Sequence, residues 1–145
     1  MSLRETLHID DVSGLDPAVP VVMLNLMKFR EQSTDGNGTG WDAYRRYSSH
    51  ITPLLKARNG TILWAGTVDG VALGPAAVGD WDYAALVWYP HPAAFLDMMQ
   101  SEAYAVANVH RENGTERHSI MATHSQYSKF PTPSPPVTSA PPATT

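Results

Sequence analysis

From Val21 to Phe29 the chain reads VVMLNLMKF, apolar everywhere except Asn25 and Lys28. This run follows Pro20 and ends in a charged, turn-prone segment, which predicts a β-strand. Side chains alternate across a strand, so Val22, Leu24 and Leu26 share one face while Met23, Asn25, Met27 and Phe29 share the other. Both faces are apolar, which places the strand inside a sheet. Asn25 is then an amide set among methionines. It needs hydrogen-bond partners, or it costs about 1–3 kcal/mol. Either the fold supplies them or the amide faces a cavity.

The pattern then changes period. The segment 31–40 is small, polar and glycine-rich and reads as a loop. Tyr44, Tyr47, Ile51, Leu54 and Leu55 recur at helical spacing within a helix predicted from Trp41 to Arg58, with a kink or short break expected at Pro53. Asn59-Gly60 closes it. Thr61 to Val68 is a second strand with Ile62, Trp64 and Gly66 on one face. Val71 to Asp82 reads as a connection, and Tyr83 to Tyr89 as a third strand. Pro90-His91-Pro92 breaks the chain before a helical region from Ala93 to Arg111, in which Ser101 is placed to cap a second segment. A turn at Glu112–Thr115 precedes a fourth strand from Glu116 to His124.

The order is β-α-β repeated twice. Adjacency and right-handed crossovers give an α+β, ferredoxin-like sandwich: a four-stranded antiparallel sheet in the order 4-1-3-2 with the helices on one face. The other face stays bare. The expectation is that it carries Met23, Asn25, Met27, Trp64, Val87 and Met121, a patch too apolar to leave in water. A second copy packed face to face would cover it, predicting a homodimer.

Composition narrows the class. The chain has 145 residues, enough for one domain with a real core. Residues 1–20 read as a lead-in from which Leu7, Ile9 and Val12 can dock, 21–130 as the domain, and 131–145 as a disordered, proline-rich tail. A net charge of −4 argues against nucleic acid and anionic membranes. No apolar run approaches membrane-spanning length, and the N-terminus lacks a signal-peptide core, so the expected compartment is cytoplasmic. With no Cys, disulfides and thiolate chemistry are excluded.

Five motifs carry a family resemblance: NLMKF (Asn25 to Phe29), YRRY (Tyr44 to Tyr47) with Pro53 after it, NGTILWAG (Asn59 to Gly66), WD then YP (Trp81-Asp82, Tyr89-Pro90), and FLDMMQSEAY…HR (Phe95 to Arg111). Together they resemble the domain-of-unknown-function 1330 family of the dimeric α/β-barrel superfamily, over Val21 to Thr123. The resemblance implies the same fold and a homodimer, and little about reaction. The wider superfamily is similar in architecture to cofactor-independent anthrone monooxygenases, polyketide cyclases, chlorite dismutase-like haem proteins and regulatory domains. Some of its cofactor-free monooxygenases rely on an Asn and a Trp lining the barrel, which by analogy points to Asn25 and Trp64.

The candidate chemistry follows. Asn25 would donate to a bound carbonyl or oxyanion, Trp64 would stack a ring, and His110 or Tyr104 would move a proton. Met23, Met27, Val87 and Tyr44 would line the pocket, and Trp81 would fold over its mouth. Each has a structural alternative: an amide satisfied in an interface, a packed indole, a helix-end cap, a core tyrosine. The six His form no zinc pattern, no feature marks a haem ligand, and His118 and His124 read as surface or dimer-edge residues. There is no nucleophile elbow, phosphate loop or useful carboxylate pair. These features favour a cofactor-free small-molecule enzyme of biosynthesis, performing oxygenation, cyclisation or proton transfer on a small flat substrate. The alternatives are a non-catalytic ligand-binding or regulatory homodimer, and a packed structural dimer without a cavity.

Overall fold

A computed structural model describes residues 5–133. After a short helix α1 (Ile9–Ser13) come β1 (Val21–Phe29), α2 (Gly40–Ala57), β2 (Thr61–Thr67), β3 (Tyr83–Tyr89), α3 (Pro92–Met99), α4 (Glu102–Gly114) and β4 (Thr115–Thr123). The sheet is antiparallel in the order β2-β3-β1-β4, as the pattern predicted. Residues 134–145 of the expected tail lie outside the described residues.

Local chemistry explains the boundaries. Thr39 and Asp42 form a reciprocal capping box at the start of α2. The helix runs through Pro53 without a break. The expected break is absent because the tyrosine stripe and Leu55 hold both sides of Pro53 against the core. Asn59, at φ 59°, makes the left-handed turn beyond α2, and the N–H of Gly60 reaches Leu55 O. Ser101 caps α4 by accepting from the Tyr104 N–H. The turn expected at Glu112–Thr115 does not form; α4 continues to Gly114 and β4 begins at once. Gly114 also lets α4 approach α2, since a Cβ there would stand 2.5 Å from Gly40 O.

One expectation is overturned. The helices cover the sheet face that carries Met23, Asn25, Met27 and Val87, not the opposite one. Met23 and Met27 are buried and Met23 packs with Tyr47, Tyr89, Phe95 and Tyr104. Strand pairing places Val87 beside Met23 and Ala85 beside Asn25 on that face. The open face instead carries Val22, Leu24, Leu26, Leu86 and Trp88, together with Trp64 and Met121. Trp64 is separated from Asn25 by a bulge. The β2–β3 register shifts between Ile62 and Trp64, so Ile62 pairs inward beside Val87 while Trp64 pairs outward beside Leu86.

The lead-in is docked: Val12 joins the core, Leu7 and Leu15 pack against it, and Ile9 remains exposed. No described helix is long and apolar enough to cross a membrane.

Candidate functional site

A cavity of about 120 Å³ lies between the sheet and the helices. Asn25, Ala85 and Val87 form its floor, Tyr44, Tyr47 and Ile51 of α2 its roof, and His118 and Ile120 of β4 its far wall. The small residues of β3 make the space. Ile62 and Ala65 on β2 are exposed while lining it, so it opens at that edge of the sheet. Trp41 stands at the α2 end in a cluster with Phe29 and Tyr83, at ring distances of 5.3 and 5.2 Å.

Asn25 is satisfied in part by the fold. Its Nδ2 donates to Met23 O at 3.2 Å, and its Oδ1 lies 2.9 Å from His118 Nε2. The first bond fixes the amide orientation, so His118 Nε2–H is the donor in the second. His118 Nδ1 lies 3.3 Å from Arg111 Nη1. A guanidinium only donates, so Nδ1 accepts, and this set of bonds describes a singly protonated imidazole. Arg111 is itself buried and donates from Nε to Asn108 Oδ1 at 2.6 Å. A chain of hydrogen bonds thus runs from a buried cation through an imidazole to an amide on the cavity wall. Asn25 has a second Nδ2–H to offer an occupant.

The tyrosines are donors here. Tyr47 and Tyr104 share a hydroxyl–hydroxyl bond of 3.0 Å. Burial raises the Tyr47 hydroxyl well above its ordinary range, with neighbouring Tyr104 and Tyr44 adding to it. Burial also raises Tyr44, and raises Tyr104 against the opposing pull of Arg111. All three stay protonated near neutral pH, so Tyr104 is a poor base.

The structure gathers some of the expected site residues and disperses others. Asn25, Tyr44 and Val87 line the cavity. Met23, Met27 and Tyr104 are buried and do not line it; Met23 and Tyr104 instead border a second, larger groove. Trp64 faces the opposite way. Trp81 lies under the Arg117 guanidinium at 4.6 Å, in a connection held by Asp80 and Asp82 ion pairs to Lys28 at 3.2 and 3.6 Å, and it does not cover the cavity mouth. His110 stacks on His50 at 4.9 Å between α4 and α2, away from the cavity. His118, expected at the surface or a dimer edge, is buried within the chain. The signal was in the strand pattern: His118 alternates with Ile120 and Ala122, an apolar face. Arg111 and Asn108 were missed because a charged or amide side chain on a helix usually marks its solvent side. Among the described residues no three His, Asp or Glu side chains gather as a metal site.

No protein-family model matches the chain, and no curated protein does. Solved structures do. A protein of unknown function from Rhodopseudomonas palustris is 26% identical, with 83% of this chain and 92% of that one covered at a TM-score of 0.73. The hydroxynitrile lyase of Passiflora edulis is 16% identical over 79% of this chain and 100% of that one, at 0.51. SnoaB, a cofactor-independent oxygenase from Streptomyces nogalater, is 9% identical over 77% and 98%, at 0.50. The ferredoxin-like fold is therefore shared with enzymes and with a protein of no assigned activity, and at these identities the enzymes speak for the fold alone.

Proposed function

We propose that the protein is a small-molecule enzyme of the cofactor-independent type, acting in the cavity between sheet and helices on a flat, partly apolar substrate. The observation that carries this reading is the Asn25 amide on the cavity wall, backed by His118 and Arg111. An oxyanion accepting from Asn25 Nδ2–H would sit at the end of a chain polarised by a buried positive charge. An apolar cavity of roughly 150 Å³ admits benzene; this space of about 120 Å³ is slightly smaller, so a ring would sit partly in it and partly at the open β2 edge. Both ring nitrogens of His118 are engaged and the tyrosines stay protonated, so the wall offers no ready base. A substrate acidic enough to have lost its proton to water before it binds, such as an activated phenol or a stabilised enol, needs none. Oxygenation, cyclisation and proton transfer are the reactions such an anion undertakes.

That same shortage of a base favours a second reading, a binding or regulatory module that holds the ligand without turnover. One variant tests both. Trp41 lines the cavity, so 1-naphthol entering it should quench tryptophan fluorescence. Asn25→Ala should stay folded and weaken this binding, and in an enzyme it should lower turnover by about 100- to 1000-fold. Binding that survives unchanged while the melting temperature falls would make Asn25 a structural amide and end its part in either reading, and no quenching by 1-naphthol at all would end both small-molecule readings of this cavity.

We also propose a homodimer through the open sheet face. Trp64 and Met121, each 46% exposed, stand there among five half-buried apolar residues, a surface that a second copy would cover. The functional unit would be residues 21–130, with 1–20 as an accessory lead-in.

A further inference from the structure

A larger groove, about 450 Å³, lies next to the cavity and shares a wall with it. Its walls are apolar, supplied by Leu7, Val12 and Leu15 of the lead-in and by Phe95 and Met99 of α3. Among the described residues its polar lining holds one cation, Arg111, together with the carboxylate residues Glu5 and Asp11. Arg111 is 5% exposed, yet its outer nitrogens make long contacts: 3.3 Å to His118 and 3.4 Å to Glu5 Oε2. A charge-assisted pair closes to about 2.7–2.9 Å and is often bidentate for Arg and carboxylate. The other oxygen of Glu5 accepts from the backbone N–H of His118 on the edge strand at 3.1 Å. A guanidinium and a strand N–H thus already cradle a carboxylate, and that carboxylate arrives on the lead-in, 106 residues away in sequence.

We propose that this groove is a binding site for a small monocarboxylate with an apolar body, whose carboxylate takes the place of Glu5 on Arg111 and the His118 N–H. Glu5 is the resident stand-in, and its side chain is 32% exposed, so it can swing out to water. The volume lies in the range of ordinary small-molecule sites, roughly 300–1,000 Å³. The apolar walls hold the body of the ligand, and the buried cation selects its charge. This site adjoins the cavity reached by Asn25, and Phe95, Met99, His118 and Ile120 form the wall between them.

The test uses phenylacetate and its neutral analogue phenylacetamide, titrated calorimetrically against the full chain and against Glu5→Ala. Removing the competing carboxylate should tighten phenylacetate by about 10- to 100-fold, the worth of one charge-assisted pair. Phenylacetamide should gain little in the same variant. Arg111→Gln should abolish the preference for the acid. If that variant fails to fold, the acid–amide comparison in Glu5→Ala still decides. Equal affinity for acid and amide, or no binding of phenylacetate to Glu5→Ala, overturns the proposal. Quenching by 1-naphthol in the cavity, measured in parallel, should be the same with and without Glu5, so failure of either site is seen separately.

Discussion

The two faces of the sheet carry similar apolar side chains and have different fates. On one, Met23, Met27, Ala85 and Tyr89 lie under three helices and are buried. On the other, Val22, Leu24, Leu26, Leu86 and Trp88 are half-buried with Trp64 and Met121 beside them in the open. The difference is not hydrophobicity but shape and polar content. The covered face has small residues where β3 crosses under α2, and it has Asn25 and His118, which bond to each other. That face forms a core with a hole and a polar wall. The open face has bulkier residues and no such pair, a surface suited to another surface.

The largest effect should come from placing one charge on each face at adjacent positions. Met23→Asp puts an unpaired carboxylate into the core and should cost more than about 4 kcal/mol, leaving little folded protein in a denaturant titration. Leu24→Asp, one residue on, should leave the monomer folded with a loss nearer about 1 kcal/mol. Combined with Met121→Asp it should give a monomer in sedimentation at micromolar concentration. A comparable loss from both single substitutions would show that the faces are not distinct. A wild-type chain that sediments as a monomer would remove the second copy from the open face.

A quieter version removes volume rather than adding charge. Met27→Ala should cost about 2–5 kcal/mol, because Met27 is fully buried and the space left is not refilled. Met121→Ala should cost under about 1 kcal/mol in the same experiment. Both belong at low protein concentration, since association adds to apparent stability. Similar losses at the two methionines would mean that the open face is already packed against something within the monomer.

The fold was largely legible in the sequence, and the orientation of its sheet was not. Periodicity found every strand and long helix, the Ser101 cap and the sheet order, because those depend on local spacing and on adjacency. It could not say which side of β1 takes the helices, since VVMLNLMKF is apolar on both. Nor could it foresee the bulge at Leu63, which turns Trp64 away from Asn25; one residue left unpaired on an edge strand leaves no mark in an alternating pattern. Asn25 was found because an amide in an apolar run stands out. Its partners were missed because His118, Arg111 and Glu5 come together only in three dimensions, from segments 7 to 113 residues apart.

The smallest expected effect belongs to neither face and serves as their control. His110 stacks on His50 in the seam between α2 and α4, and its Nδ1 is buried without a hydrogen-bond partner. Partial burial holds its pKa below the ordinary 6.5, and the neighbouring His50 and Arg46 lower it further against the opposing pull of Asp35. The unfolded chain therefore takes up a proton at a higher pH than the folded chain does. Any stability linked to this group is present in full above pH 6.5 and is lost as pH falls below it toward the depressed folded value. The melting temperature should fall as the solution is acidified from neutrality, and His110→Gln should fall less. Quenching of Trp41 by 1-naphthol should respond identically in the two proteins, because His110 does not line the cavity. An equal acid-induced fall in both proteins would show that the seam contributes nothing to the pH dependence. A difference in ligand binding between them would mean that the outer side of the helices is coupled to the covered face after all.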